Sequence, residues 1–190
     1  ILSLEMQMDT RTDSGTKDLA EKIRNLPISR KINTDKFETG FIGKLRDYQK
    51  EGILFFESLH EIGLGGILAD DMGLGKTIQC LVFLERLILK NKKKLLILVV
   101  GPLASVGVWK KEAEKFFKDL KITLWHGLER KKNDFPKHGI VLTTYGTLSR
   151  DFEDWKGTCN FDITILDEAQ NLKNFRSLTS HAVRQTNSGV

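Results

Sequence analysis

From about Leu45 onward, short aliphatic runs alternate with longer amphipathic stretches. Five runs read as strands: Gly66–Ala69, Leu95–Val100, Ile122–Trp125, Ile140–Thr144 and Ile163–Leu166. Several are apolar without interruption, the pattern of parallel strands covered on both faces. Between them, apolar residues recur at helical spacing over Arg46–His60, Thr77–Leu89, Val106–Phe117 and Ser177–Arg184. Strands alternating with helices predict βαβ units and an α/β fold, a three-layer sandwich around a mainly parallel sheet. Ligands in such a sheet bind beyond the carboxyl ends of its strands, so the chemistry is expected there. Residues 1–40 lack this pattern. They are polar, with a loop-like stretch over Asp9–Lys17 and a short helical pattern over Lys17–Asn25. They are expected to flank a lobe spanning residues 41–190.

Composition narrows the class. A chain of 190 residues suits one domain with a short flank. A hydrophobic fraction of 40% and a charged fraction of 29% exclude a wholly disordered chain. The net charge of +5 permits an anionic partner without requiring one. Two cysteines, Cys80 and Cys159, make no disulfide framework, and no Cys/His cluster has zinc spacing, so a reducing intracellular setting is expected. No apolar run approaches the roughly 20 residues of a membrane span. The chain opens on Ile1 rather than Met, and a piece of a longer protein is expected.

The segment Gly66 to Thr77 carries the strongest chemical signal. An apolar run enters a loop containing Gly73 and Gly75, which closes on Lys76-Thr77 and opens a helix. The glycines let successive backbone N–H groups point inward at phosphate oxygens. The helix start adds free N–H groups and the positive end of its dipole. Lys76 supplies a mobile positive charge for the β- and γ-phosphates, and Thr77 a hydroxyl for Mg²⁺. The strict pattern GxxxxGK[ST] asks for glycine where this chain has Asp70.

A second signal lies about 90 residues downstream, where Ile163–Leu166 ends in Asp167-Glu168. The end of this strand should face the same sheet edge as the phosphate loop. Asp167 can hold the Mg²⁺ that bridges phosphates, usually through water. Glu168 can orient and activate the attacking water.

Together these residues resemble a known family. LADDMGLGKTIQ (Leu68–Gln79) and LDEAQNLKN (Leu166–Asn174) resemble motifs I and II of the Swi/Snf-family ATPases, in helicase superfamily two. LRDYQKEG (Leu45–Gly52) resembles the upstream glutamine motif, with Gln49 at the adenine-reading position and Asp47 where proline is usual. PLASVGVWKKE (Pro102–Glu112) resembles motif Ia, with Ala104 and Val108 where the family commonly has Ser and Asn, and Ser105 next door. LTTYGTL (Leu142–Leu148) resembles the next nucleic-acid-contacting motif. The resemblance runs over about residues 41–185 and stops short of motif III.

It implies a RecA-like (P-loop NTPase) sandwich that binds ATP with Mg²⁺ and hydrolyses ATP to ADP and phosphate. Lys76, Asp167 and Glu168 would be catalytic. Gln49, Asp71, Met72, Gly73, Leu74, Gly75, Lys76 and Thr77 would bind ATP, and Thr77 and Asp167 the metal. Ser105, Thr143, Thr144 and Tyr145 would touch nucleic acid. The implied partners are double-stranded DNA, a DNA-bound protein complex and a second RecA-like lobe, with no membrane. The setting is cytoplasmic for a bacterial member, towards which the DEAQNLKN wording leans, and nuclear for a eukaryotic one. Two alternatives stay open: an RNA helicase of the same superfamily, and a nucleotide-binding module without turnover. Trp109, Phe55, Phe56, Phe116 and Phe117 are read as core. The basic cluster Lys90–Lys94 is read as a solvated helix end, and Arg130–Lys132 as a loop open to either a structural or a nucleic-acid role.

Overall fold

Four of the five apolar runs pair into one sheet. The computed structural model describes residues 37–186 apart from Met72, Lys92, Glu129, residues 157–158 and residues 173–176. Its strands are β1 (Leu96–Gly101), β2 (Ile122–Trp125), β3 (Gly139–Thr144) and β4 (Ile163–Leu166). Their order is β2-β3-β1-β4, and every pairing is parallel. The register sets Gly101 beside Thr144 and Val100 beside Leu166. The turns after β1, β3 and β4 therefore emerge together on one carboxyl edge.

Among the described residues five helices flank the sheet: α1 (Asp47–Glu61), α2 (Lys76–Lys90), α3 (Leu103–Phe116), α4 (Tyr145–Trp155) and α5 (Leu178–Gln185). All six residues of β1 are buried, and its pleat sends them alternately into two cores. Ile97 and Val99 join Ile53 of α1, Leu81 and Leu84 of α2, and Val106 and Ala113 of α3. Leu96, Leu98 and Val100 join Leu148, Phe152 and Trp155 of α4 and Ala182 of α5. This is the expected three-layer RecA-like sandwich, with α1–α3 on one face and α4 and α5 on the other.

The structure departs from the sequence pattern in one element and adds two features to it. Gly66–Ala69 is irregular, not a strand, and Ile67 is 88% exposed. A strand needs a ladder partner, and among the described residues none lies beside this segment. Helix α4 follows directly from β3. Thr144 accepts a hydrogen bond from the Thr147 amide as its N-cap, and Leu148, Phe152 and Trp155 turn inward at helical spacing. Residues 37–40, read as flank, pack on α2: the Glu38 carbonyl accepts from Arg86 Nη1 at 2.6 Å, and the Arg86 guanidinium lies 4.0 Å over the Phe37 ring. The helical pattern over Lys17–Asn25 lies outside the described residues.

A buried ion pair joins α1 to α2. Glu57 accepts from Arg86 Nε at 2.8 Å and Nη2 at 3.1 Å, and from Lys90 Nζ at 2.9 Å. Burial alone would raise the Glu57 carboxyl, but the Arg86 and Lys90 hydrogen bonds and charges outweigh it and hold the group below the usual carboxylate value. Glu57→Ala leaves Arg86 buried without its counter-charge and is expected to cost about 3–5 kcal/mol in chemical unfolding. Because the native value is lowered, the pair's contribution is full above the unfolded carboxylate value. It is lost as pH falls through the native one. The stability gap between wild type and Glu57→Gln should shrink over that acid range. A gap independent of pH would assign the effect to packing. In the same region, Lys93 pairs with Asp162 at 2.9 Å, so two members of the Lys90–Lys94 cluster serve structure.

Candidate nucleotide-binding site

The phosphate loop runs into α2 through two left-handed glycines, Gly73 (φ 85°) and Gly75 (φ 75°). Gly75 is the N-cap, so the first amides of α2 have no partner within the helix and face the loop. A Cβ at Gly75 would also stand 2.6 Å from Gln49 Nε2. That closeness reflects how α1 steadies the loop. Gln49 Nε2 and the Tyr48 hydroxyl both donate to the Leu74 carbonyl, at 3.2 and 3.1 Å. Gln49 Oε1 accepts from the Arg46 amide at 3.0 Å, at the N-terminus of α1. Lys76 Nζ turns back onto the loop and donates to the carbonyls of Asp70 and Asp71 at 2.7 and 2.9 Å.

Asp70, the departure from the strict pattern, is tied into α2: Gln79 Nε2 donates to Asp70 Oδ2 at 3.0 Å from a fully buried position. Met72 lies outside the described residues. Thr77 is half-buried in the first turn of α2.

The acid pair follows β4 on the carboxyl edge. The Asp167 amide donates to the Val100 carbonyl at 2.8 Å, extending the ladder one residue past the strand. Glu168 then takes φ 52°, the one left-handed non-glycine among the described residues, and is exposed. Its amide donates to Asp167 Oδ1 at 3.0 Å, and Gln170 Nε2 donates to its carboxylate. Cys80, early in α2, senses both halves of the site. Burial, then the charges of Asp167 and Asp70, push its thiol up to about 12. Helix α2 ends shortly before β1 begins, so its first turn and the phosphate loop lie towards the carboxyl ends of the strands, the edge from which the acid turn emerges.

The residues singled out for nucleic acid turn inward. The Ser105 hydroxyl donates to Asp167 Oδ2. Thr143 is fully buried and donates to the Trp125 carbonyl at 2.8 Å, which keeps its side chain off the surface. Thr144 caps α4 and donates to Thr147 Oγ1 at 2.9 Å, so its hydroxyl is likewise engaged within the lobe. The Tyr145 hydroxyl donates to the Asp167 carbonyl at 2.8 Å; burial, with Asp167 and Glu168 nearby, pushes it up to about 12. Arg130 makes a two-point pair with Asp151, Nε to Oδ2 at 2.6 Å and Nη2 to Oδ1 at 2.8 Å, and so serves structure. Trp109 is core as expected, 2% exposed, yet its indole N–H also reaches Asp167 Oδ2 at 2.8 Å. The sequence signal for that contact was the i, i+4 spacing of Ser105 and Trp109 on one helix face.

The edge offers amides and a lysine for phosphate, and two adjacent carboxylates beside them. Its donor set suits a cation that keeps most of its water. Among the described residues no cluster of three His, Cys, Asp or Glu is placed to hold a metal. Asp167 and the Thr77 hydroxyl would supply few ligands, with the rest coming from phosphates and water, as Mg²⁺ prefers. Cavities of about 200 and 380 Å³ lie elsewhere, along α4, lined by Arg130 and Asp151 and by Phe152 and Phe161 respectively.

Comparison with known proteins gives concordant results. The profile of the SNF2-related domain matches residues 48–189. The chain is 37% identical over 175 residues to the Bacillus subtilis protein named "Putative ATP-dependent helicase/translocase YwqA", covering 90% of this chain and 19% of that protein. It is 34% identical over 166 residues to the chromatin-remodeling ATPase INO80 of Arabidopsis thaliana, covering 80% of this chain and 11% of that one. Among solved structures, the SWI2/SNF2 ATPase core of Sulfolobus solfataricus in complex with double-stranded DNA superposes with a TM-score of 0.72 at 32% identity. That match covers 80% of this chain and 31% of the other. The chain thus spans a third or less of the proteins it matches. Because the profile runs unbroken from the first turn of α1 past the acid pair, taking in the whole sheet, the chain belongs to the SNF2-related domain family.

Proposed function

We propose that this chain is the ATP-binding lobe of a DNA-dependent ATPase that tracks along double-stranded DNA, in a protein that remodels DNA or DNA-bound complexes. The observation that carries the proposal is the convergence on one sheet edge. Helix α2 ends at Lys90, shortly before β1 begins at Leu96, so its first turn lies towards the carboxyl ends of the strands, where the Asp167-Glu168 turn follows β4 and one triphosphate would meet both. In this reading the α2 amides and Lys76 bind the phosphates, with Lys76 exchanging the Asp70 and Asp71 carbonyls for phosphate oxygens. Gln49 meets adenine by leaving the loop carbonyl it now holds. Thr77 and Asp167 hold Mg²⁺, whose chemistry is to neutralise developing charge on the phosphoryl oxygens. Glu168 orients the attacking water.

Duplex DNA as the partner rests on the likeness to a core solved with double-stranded DNA and on relatives that include a chromatin remodeler. A backbone-reading partner also suits a machine that steps over any sequence. The setting would be the cytoplasm of a bacterium or the nucleus of a eukaryote.

Lys76→Ala tests the nucleotide half. Loss of a charge from a phosphate clamp should weaken Mg·ATP binding by about 1.5–3 kcal/mol in calorimetry while unfolding stays cooperative. Unchanged affinity in the folded variant would sink the assignment. Stimulation of ATPase activity by duplex DNA rather than RNA, in the intact protein, tests the other half.

A further inference from the structure

Asp167 is held by more side chains than a metal-water ligand needs for its own stability. Ser105 Oγ and Trp109 Nε1 both donate to Oδ2, the second at 2.8 Å. The Glu168 amide takes one position on Oδ1 at 3.0 Å. The Tyr145 hydroxyl secures the main-chain carbonyl at 2.8 Å. A carboxylate offers roughly four lone-pair directions. Two on Oδ2 and one on Oδ1 are used, and a single direction on Oδ1 is left. One remaining acceptor suits one metal-bound water, and rotation about the side chain is blocked from both ends.

The geometry around this clamp is arranged for it. Ser105 and Trp109 lie one turn apart on α3, the helix that follows β1, and Asp167 follows β4, the strand paired to β1. Gly101, the last residue of β1, leaves the space: a Cβ there would stand 3.0 Å from Ser105 Oγ and 3.3 Å from the Asp167 Cβ. Trp109 is 2% exposed and packed in the core, so its neighbours lock the rotamer that aims its N–H. An indole N–H can only donate, which orients it towards a carboxylate and never towards a metal.

We propose that Ser105 and Trp109 are positioning residues for metal–nucleotide binding: they fix Asp167 Oδ2 so that Oδ1 alone faces a hydrated divalent cation. This rests on the reading that Asp167 supports Mg²⁺. Outer partners of metal ligands typically alter metal affinity or activity 10- to 100-fold when removed.

The experiment measures the affinity of the intact protein for ATP with Mg²⁺ and again with the metal chelated, in wild type, Ser105→Ala, Ser105→Thr, Trp109→Phe and Asp167→Asn. Ser105→Ala should weaken Mg·ATP about 10-fold and leave metal-free ATP binding unchanged, and Ser105→Thr, which restores a hydroxyl, should recover most of the loss. Trp109→Phe should act in the same direction. Should its core fail to repack, Ser105→Ala and its rescue carry the test alone. The indole ¹⁵N–H resonance of Trp109 should also move in Asp167→Asn while that of Trp125, bonded to Asp151, stays in place. A folded Ser105→Ala with unchanged Mg²⁺ dependence would overturn the clamp. So would equal losses with and without metal, which mark a general structural effect. If Asp167→Asn itself leaves the Mg²⁺ dependence intact, the underlying metal reading fails, and the clamp with it.

Discussion

Glu168→Gln in the intact protein should retain ATP and lose turnover by a factor of about 10²–10⁴, the usual contribution of a positioned acid–base group. The amide keeps the size of the side chain and its bond from Gln170 but cannot take a proton. The backbone supports the assignment. A φ of 52° costs a non-glycine residue energy that the surroundings must offset. Here the Asp167 amide is held by the Val100 carbonyl, the Asp167 carbonyl by the Tyr145 hydroxyl, and the Glu168 amide by Asp167 Oδ1. The result turns Glu168 away from the course of β4 and leaves its side chain exposed beside the buried end of the sheet. Single-turnover hydrolysis and equilibrium nucleotide binding, measured on the same preparation, separate the two effects. Near-normal hydrolysis with unaltered binding would mean that another group positions the water.

The parts of this site legible in the sequence are those that local chemistry dictates. Gly73 and Gly75 announce a left-handed loop because few other residues adopt it, and the structure gives both positive φ. Parallel strands announce themselves as unbroken apolar runs because both faces are covered, as in β1 and β3. What was hidden depends on partners distant in the chain. Gly66–Ala69 has the composition of a strand, but pairing is a property of neighbours, and the described residues place none beside it. Helix α4 begins inside a stretch read as a contact motif, because Thr143 and Thr144 look like exposed hydroxyls until β3 buries them. The bond of Ser105 to Asp167 was hidden for a related reason. A serine at a helix start can bind a phosphate or a side chain equally well, and only the pairing of β1 with β4 brings Asp167 within reach. Asp70 looked like a defect in a glycine pattern, and its role appears only once Gln79, nine residues on, is seen to hold it.

The 190 residues as an isolated chain should bind nucleotide weakly and show almost no DNA-stimulated hydrolysis, with activity restored by orders of magnitude when a second RecA-like lobe is supplied in cis or in trans. Each group assigned to phosphate or metal here lies on one sheet edge: the first amides of α2, Lys76, Thr77, Asp167 and Glu168. Lys76 and Thr77 are half-buried and Glu168 is exposed, so a nucleotide on this edge keeps one side in water. High dielectric weakens every contact made there, since a charge pair at 4 Å falls from about 4 kcal/mol near a protein surface to about 1 kcal/mol in bulk water. Charge on the transferring phosphoryl group needs a counter-charge from the opposite side. An arginine supplied there is worth roughly 10³–10⁵ in rate in related hydrolases. Two of the described arginines are already engaged, Arg86 with Glu57 and Arg130 with Asp151. DNA would likewise meet only part of its track, neutralising fewer phosphates, so both affinity and its salt dependence should fall. The measurement is ATPase rate against duplex DNA concentration for the isolated chain, alone and mixed with the separately purified second lobe, with Lys76→Ala as the control. Robust hydrolysis by the chain alone, stimulated by duplex DNA and abolished by Lys76→Ala, would show that a single sheet edge suffices and that the opposite wall contributes little.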